Sequence, residues 1–231
     1  MRPHLTIYLL CLSFALGCKS QVKNGTIELT RREKFLCDSL KFDTTILKGV
    51  RKYNSSKFER FHYSLGKNYQ NGEEIEADPI YLKGVIFTEN YQDADNLVLK
   101  LHDNFKAKGY SIFVVEHFSN VDNRPDNIAI LKTIDKYEIL RLINTDGINY
   151  NITNDSLLTI IKMFDKKYSL ELIGASGDWC EFIIKDEPKD WMTFANEVYK
   201  VCPDVFQQGS GNIQALAGEM KRTKRLYFWW D

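Results

Sequence analysis

The last residues of the chain constrain its fold more than any other segment. Leu226-Tyr227-Phe228-Trp229-Trp230 places four aromatic residues in a row beside the terminal Asp231. Chain ends are usually polar and mobile unless they are packed into the fold. Aromatic residues favour a pleated, half-buried surface, so this segment predicts a buried β-strand. Alternation would place residues 226, 228 and 230 on one face and 227 and 229 on the other, and we expect both faces to be covered.

The overall composition is that of a globular protein and limits the classes of partner. A hydrophobic content of 44% is enough for a sizeable core, and the length of 231 residues allows one large domain or two small ones. The formal net charge is zero. Nucleic-acid binding needs a basic face that displaces counterions from phosphates, so no nucleic-acid partner is expected.

The N-terminal residues have the pattern of a secretory signal. A weakly positive start precedes an apolar run from Leu5 to Leu16. The run is shorter than the roughly 20 apolar residues that span a bilayer, and small residues follow it. The ending Ala15-Leu16-Gly17-Cys18 resembles the lipobox of bacterial lipoproteins. That resemblance implies cleavage before Cys18 and lipidation of its thiol.

We therefore predict a signal peptide over residues 1–17 and a lipidated tether over residues 18–26. This places the protein in the bacterial cell envelope, lipid-anchored to a membrane and facing the periplasm or the cell surface. Cys37, Cys180 and Cys202 then remain in the folded part. Three cysteines cannot all pair, and either a Cys180–Cys202 disulfide or three free buried thiols would fit the sequence.

Hydrophobic periodicity divides the rest of the chain into interspersed helices and strands. The predicted helices begin at Thr30 and then cover residues 44–53, 93–108, 136–142, 154–167, 188–201 and 213–222. The predicted strands cover residues 58–65, 80–87, 110–116, 128–132, 170–173, 179–184 and 226–230. Elements without strict alternation predict an α+β fold, in which helices pack on one mainly antiparallel sheet and the aromatic strand closes it. We divide this fold into an N-terminal α+β segment, residues 27–92, and an α+β domain, residues 93–231.

Several local patterns give sharper expectations. Thr30 and Glu33 form a capping box at the first helix, whose apolar stripe would contain Phe35, Leu36 and Leu40, with Leu29 beside them. The polar residues 67–78 read as a loop, and residues 174–178 as a five-residue hairpin loop. Three helix starts are also expected: Asp155 or Asn154 caps one helix, Pro188 opens another, and Ser210 or Asn212 caps the last one.

The C-terminal part of the chain resembles a known bacterial family. The residues that carry the resemblance are Ala129-Ile-Leu-Lys-Thr133, Asn144-Thr-Asp-Gly-Ile-Asn-Tyr150, Cys202-Pro-Asp-Val205, Gln208-Gly-Ser-Gly211 and Leu226–Asp231. On these, the chain from about Gly109 to Asp231 resembles the domain-of-unknown-function family DUF4253. The resemblance implies a domain that ends at the chain terminus, and it implies no activity.

Motifs for catalysis and for cofactors are absent from the sequence. His62, His102 and His117 have no zinc-binding spacing, so no metal site is predicted. Ser176 lacks the spacing of a nucleophile elbow, and the Gly209-Ser210-Gly211 turn lacks the lysine of a phosphate-binding loop. We therefore predict no cofactor and assign no catalytic residue.

Polar residues in loops between apolar elements are the candidates for binding. They are Asp146, Asn149, Asp178, Trp179, Asp204, Gln207 and Gln208. Aromatic and carboxylate side chains on loops suit a sugar or a peptide, whereas in the structural alternative Asp204 caps a turn and Trp179 fills the core. The leading function is a membrane-anchored, non-enzymatic interaction protein with a protein partner, of which an immunity-like role is one form. The alternative is an envelope hydrolase that uses carboxylates such as Asp178 and Asp204.

Overall fold

The computed structural model describes residues 27–230, apart from residues 64–66, 71–72, 77 and 119–123. The strands are β1 (Glu59–Tyr63), β2 (Lys67–Gln70), β3 (Glu73–Glu76), β4 (Ile80–Glu89), β5 (Ser111–Glu116), β6 (Asp126–Leu131), β7 (Leu170–Ala175), β8 (Trp179–Ile184) and β9 (Arg225–Trp229). The α-helices are α1 (Arg31–Leu40), α2 (Thr44–Arg51), α3 (Tyr91–Lys106), α4 (Lys136–Ile143), α5 (Asn154–Tyr168), α6 (Trp191–Val201) and α7 (Ile213–Thr223). A 3-10 turn, Ile148–Tyr150, and a π-helical turn, Val205–Ser210, complete the described elements.

Seven of the described strands form one sheet in the order β1-β4-β6-β5-β7-β8-β9, and β2 pairs with β3 in a separate hairpin. Neighbouring strands are antiparallel except β5 and β7, which run parallel. The predicted α+β fold with a mainly antiparallel sheet is therefore confirmed. Strand β4 pairs with β6 from Gly84–Leu131 to Glu89–Asp126. The sheet is thus continuous across residue 92.

Helices cover the two faces of this sheet and form two cores. On one face, α4, α5, α6 and α7 pack around fully buried side chains such as Phe113, Phe182 and Phe228. On the other face, α1, α2 and α3 pack around Phe105 and Ile130. Both faces of the central strands are buried, which explains the nearly continuous apolar sequences of β5 and β6.

Strand β9 is the predicted aromatic strand, and it pairs with β8 at the edge of the sheet. Leu226, Phe228 and Trp230 are buried in the core under α4–α7, as the alternation predicted. On the opposite face Trp229 is half-buried and Tyr227 is 37% exposed. The expectation that both faces are covered is therefore only partly correct.

The capping box of α1 is present, with both the Thr30 hydroxyl and the Glu33 carboxylate bonded to backbone amides. The expected stripe of α1 is wrong at Phe35, which is 73% exposed. Leu40 of that stripe is buried as expected, and Glu33 and Cys37 complete the buried side of the helix. Glu33 turns this face inward because its carboxylate also binds Arg51 of α2.

Other corrections concern turns and helix starts. The expected loop at residues 67–78 contains the β2–β3 hairpin, and the β7–β8 turn has three residues, 176–178. Thr153, one residue before the expected caps, accepts the amide of Ser156 and caps α5. Asp190 caps α6, which begins at Trp191 and not at Pro188. The predicted cap Asn212 does begin α7.

The predicted signal and tether, residues 1–26 with Cys18, lie outside the described residues. Within the part of the chain that the structure describes, none of the helices combines the length and apolar character that a membrane crossing needs.

Candidate functional site

The loops that carry most of the predicted binding residues meet at one end of the sheet. The parallel strands β5 and β7 both end at this end of the sheet. Strand β8 begins there, and β9 ends there. Three loops converge at this end of the sheet: residues 144–153, residues 176–178 and the segment after α6. We call residues 145–152 and 176–178, together with Asp204 and Trp230, the end-loop surface.

Hydrogen bonds fix the first two loops to each other. The Thr145 hydroxyl donates to the carbonyl of Ser176 at 2.6 Å, and the Asp146 amide donates to the carbonyl of Gly177 at 2.8 Å. Thr145 is fully buried, and a buried hydroxyl without such a partner would be costly. The loop before α5 therefore has one position relative to the β7–β8 turn.

Trp230 joins the end of the chain to both loops. Its amide donates to the carbonyl of Asp178 at 3.0 Å, and its indole Nε1 donates to the carbonyl of Val201 at 3.3 Å. A Cβ atom on Gly147 would lie 2.8 Å from the indole ring, closer than carbon atoms approach without a shift. Glycine at position 147 is thus required by the close approach of Trp230.

Asp204 fixes the same loop from its other side. Its carboxylate is buried and accepts the hydroxyl of Tyr150 at 2.5 Å. This contact supports the interpretation in which Asp204 holds a turn. Gln207 and Gln208 lie in the π-helical turn that follows, and their side chains are outside the described part of the structure.

The fixed loops present a small exposed surface. Ile148 is 62% exposed and Tyr150 is 37% exposed, and Asn149 and Asp178 are exposed beside them. The half-buried Asp146 accepts the amide of Ile148 at 3.3 Å. Of the predicted binding residues, Asp146, Asn149 and Asp178 are therefore brought together, next to apolar side chains that the sequence analysis did not select.

Trp179 does not belong to this surface. It is 7% exposed and lies on the opposite face of β8, above Gly174. Its ring packs against Tyr227 at 5.8 Å and against His117 at 5.3 Å between ring centroids. Trp179 therefore fills the core, which was the structural alternative.

A second group of polar residues lies beside Trp179 and was missed by the sequence analysis. Asp95 of α3, His117 after β5, Glu181 of β8 and Arg225 of β9 meet there, and Asp126 lies behind His117. We call these five residues the acid–histidine cluster. His117 Nδ1 lies 2.7 Å from Asp126 Oδ2, and His117 Nε2 lies 3.8 Å from Asp95 Oδ1.

Charge balance holds the cluster together. One guanidinium nitrogen of Arg225 binds both carboxylates, contacting Asp95 and lying 3.0 Å from Glu181. Burial raises the pKa of the Glu181 carboxyl, although Arg225 acts in the opposite direction. Burial would lower the pKa of Arg225, but Glu181 and Asp95 raise it overall. The cluster therefore holds the Glu181 carboxylate in a poorly hydrated position, and Arg225 is the cation that binds both Glu181 and Asp95.

Three of the segments that carry the family resemblance, residues 144–150, 202–205 and 226–231, contribute to the end-loop surface. Residues 127–231 match the family described as Domain of unknown function (DUF4253). The resemblance of the C-terminal residues to this family is therefore confirmed. Searches of curated proteins and of solved structures gave no significant match. The end-loop surface lies entirely within the residues that match DUF4253.

The acid–histidine cluster crosses the boundary of the DUF4253 match. Glu181 and Arg225 lie within residues 127–231, whereas Asp95, His117 and Asp126 precede them. The cluster therefore depends on α3 and on the segment after β5 as well as on the residues that match DUF4253. Local spacing could not reveal it, because Asp95 and Arg225 are 130 positions apart.

A group of similar composition lies elsewhere on α3. His102, Asp103 and Glu171 approach one another there. Lys106 binds Glu171 at 2.6 Å, and Lys185 lies 3.2 Å from its other oxygen. Burial favours the neutral Glu171, but the two ammonium groups outweigh it and lower the pKa. The negative charges of this group are thus already balanced by Lys106 and Lys185.

The cysteines of the described region are free and buried. The Cys202 thiol donates to the carbonyl of Trp229 at 2.8 Å and accepts the Trp229 amide at 3.3 Å. Burial raises the pKa of Cys202 to about 11. Cys180 is buried next to it, and its pKa is raised for the same reason. Neutral thiols of this kind act as small apolar side chains.

Proposed function

We propose that the protein is a membrane-anchored, non-enzymatic binding protein of the bacterial cell envelope, and that its end-loop surface binds a protein partner. The observation that supports this most is the combination of exposure and rigidity at Ile148. An exposed apolar side chain stands on a loop that hydrogen bonds fix on three sides. A surface of this kind loses little conformational entropy when it binds.

The composition of the surface suits a protein partner. Protein interfaces combine apolar and aromatic anchors with a polar rim. Ile148 and Tyr150 would be the anchors, and Asp146, Asn149 and Asp178 would form an acidic and polar rim around them. An acidic rim favours a partner that presents lysine or arginine side chains.

A comparative pull-down tests the binding surface. The full chain, solubilised in detergent from envelope membranes, is compared with Ile148→Lys and with Met163→Lys. Met163 lies on α5 and is 61% exposed, so its variant makes the same chemical change on another surface. We expect the Ile148 variant to lose a partner that the intact protein and the Met163 variant both retain. Equal recovery of every partner by the three proteins would contradict the proposal.

Lipid anchoring through Cys18 is tested separately. The variant Cys18→Ser should accumulate as unprocessed precursor and should not be labelled by a fatty acid, because it lacks the thiol that carries the lipid. Labelling of the variant at the level of the intact protein would show that the anchor is not at Cys18.

The hydrolase is the second candidate, and one observation favours it. Asp178 is exposed at the same end of the sheet as the other loops. Asp204, its expected partner, is buried and bonded to Tyr150, which supports a structural role for that carboxylate. We therefore rank the hydrolase below the binding protein. Hydrolysis of an envelope substrate that is lost in Asp178→Asn would reverse this order.

A further inference from the structure

We propose that Asp95, His117 and Glu181 of the acid–histidine cluster bind a divalent metal ion, Zn²⁺. Each residue offers one donor atom, and these atoms lie within 4.8 Å of one another. This site is separate from the end-loop surface, and it stands whether or not that surface binds a partner.

The first argument is the way in which the imidazole of His117 is held. Asp126 is fully buried, and its carboxylate accepts the Phe118 amide at 2.9 Å as well as the His117 ring at 2.7 Å. An ionised carboxylate can only accept, so His117 Nδ1 carries the hydrogen. In the neutral ring Nε2 is then the nitrogen with the lone pair, and it is Nε2 that faces Asp95. A carboxylate that orients a histidine through its second nitrogen is a common support of metal-binding histidines.

The second argument is the arrangement of the carboxylate oxygens. Arg225 contacts Oδ2 of Asp95 and Oε1 of Glu181, whereas Oδ1 of Asp95 faces the imidazole. The guanidinium therefore binds Oδ2 of Asp95 and leaves Oδ1 on the side of the imidazole, where a metal ion would lie. Asp95, Asp126 and Glu181 carry three formal negative charges and Arg225 carries one positive charge. The remaining two negative charges match a divalent cation.

The third argument is distance. Bonds of about 2.0–2.2 Å to nitrogen and oxygen ligands place tetrahedral donors roughly 3.3–3.6 Å apart. The 3.8 Å between His117 Nε2 and Asp95 Oδ1 is close to this separation. The side chains of Asp95 and His117 are 33% and 24% exposed, so both have room to adjust. Three protein ligands with a solvent-facing fourth position give an open zinc site.

Zn²⁺ suits this donor set better than Mg²⁺ or Ca²⁺. Those two ions prefer sites made of oxygen ligands alone, whereas an imidazole favours a transition metal or zinc. The neighbouring Trp179 packs against the His117 ring with 30° between the ring planes. This contact restricts the rotation of the imidazole and keeps Nε2 directed toward the carboxylates.

The group of His102, Asp103 and Glu171 provides an internal comparison. It has the same three residue types, but Lys106 and Lys185 already neutralise its charge. Its histidine bonds to the exposed Asp103 through Nδ1, without a buried carboxylate behind the ring. The same argument that assigns zinc to the acid–histidine cluster therefore assigns none to this group.

Zinc titration of the full chain in detergent tests the proposal. The protein carries no polyhistidine tag and competes with a chromophoric chelator for Zn²⁺. We expect one zinc ion per chain, bound by the intact protein and by His102→Ala but not by His117→Ala or Asp95→Asn. Asp126→Asn should weaken binding about 10–100-fold, as is typical when a group that orients a metal-bound histidine is changed.

The outcomes separate a metal site from a structural cluster. Circular dichroism first establishes that each variant is folded, and Asp95→Asn serves if His117→Ala is not, because Asp95 is partly exposed on α3. The proposal is overturned if the intact chain binds no zinc, if both the Asp95 and the His117 variants bind it as tightly as the intact chain, or if only the His102 variant loses it. A failure of the Ile148 pull-down would leave these results unchanged.

Discussion

At the scale of single residues, two buried glutamates show how the surroundings decide the sign of a pKa shift. Glu33 and Glu181 each bind an arginine, Arg51 and Arg225 respectively. Burial favours the neutral form of Glu33, but the Thr30 amide and Arg51 outweigh it, and the pKa is lowered. At Glu181 burial dominates and the pKa is raised. The two residues should therefore give opposite dependences of stability on pH.

Glu33→Gln should destabilise the protein at neutral pH by about 1.5–3 kcal/mol, because it removes a charged partner of Arg51. Because the folded-state pKa is lowered, the stabilisation is present above the unfolded value of about 4.3 and decreases as the pH falls through the folded value. Urea unfolding at several pH values measures the difference. Glu28→Gln is the control, since Glu28 is exposed and its ion pairs are long. A cost that stays constant down to acid pH would contradict this explanation.

Glu181→Gln should show the opposite trend when a chelator keeps the protein free of zinc, because the pKa of Glu181 is raised in the metal-free protein. Between about pH 4.3 and its raised folded-state pKa, Glu181 binds more protons in the folded than in the unfolded state. Its contribution to the free energy of unfolding is thus fully present below about pH 4.3 and is lost as the pH rises. Glutamine does not titrate, so the stability of the variant relative to the intact protein should increase with pH. Parallel pH profiles of the two proteins, with Glu219→Gln on the exposed side of α7 as control, would refute this.

The sequence predicted residue roles where the partners are close along the chain. Thr30 and Glu33 are three positions apart, and so are Asn212 and the amide that it caps. The acid–histidine cluster could not be predicted in this way, because its five members come from five separate segments of the chain. Nothing near His117 in the sequence indicates that Asp126 lies behind its ring. Ile148 could not be predicted for a different reason. It is an apolar residue within a polar loop, and the sequence of such a loop does not show whether the apolar side chain is exposed or buried.

At the scale of elements, the periodic apolar segments were predicted well and the short polar ones were not. Helix α3 and strand β4 have long periodic patterns, and their predicted ranges lie close to the observed ones. The β2–β3 hairpin has a polar sequence without such a pattern, and that sequence predicts a loop. Helix starts were misplaced by one to three residues, because Thr153 and Asp190 compete with other polar residues as caps.

Strand β9 makes the sharpest prediction at this scale. Phe228 is fully buried and packs against Phe164 at 5.7 Å, so Phe228→Ala should cost about 3–5 kcal/mol. Its neighbour Tyr227 is 37% exposed. Tyr227→Ala should lower the free energy of unfolding by only about 1 kcal/mol, a typical value for a point mutation. Thermal unfolding of the two variants gives the comparison. Equal costs would show that β9 is packed equally on both faces.

Deletion of residues 226–231 extends this test to the whole strand. Domains are stable by only about 5–15 kcal/mol, and the deletion removes Leu226, Phe228 and Trp230 from one core. We expect the shortened chain to be unfolded. A cooperative transition within a few degrees of the intact protein would mean that β9 is a surface appendage.

At the scale of the whole molecule, the DUF4253 match covers only part of the seven-stranded sheet. The family range begins at residue 127, in β6, which lies between β4 and β5. Both neighbours of β6 therefore come from residues outside the match. The sequence predicted these strands but not their order, because the pairing of distant strands leaves no local pattern. The position of β4 beside β6 also joins the segment 27–92 to the fold.

This arrangement predicts one cooperative unit that begins near residue 27. The sequence division at residue 92 would make residues 93–231 the stable core, with the tether at residues 19–26 cleaved first. Removing residues 27–92 would, however, remove β4, which pairs with β6 at six positions. It would also expose Ile128 and Ile130 to solvent. Unpaired backbone groups and exposed apolar side chains both oppose folding. We therefore expect residues 93–231 alone to lack a cooperative thermal transition.

Limited proteolysis of the full chain, followed by mass spectrometry, should give a resistant product that starts near residue 27 and retains β9. A resistant product that starts near residue 93 would instead show that the C-terminal strands fold without β4.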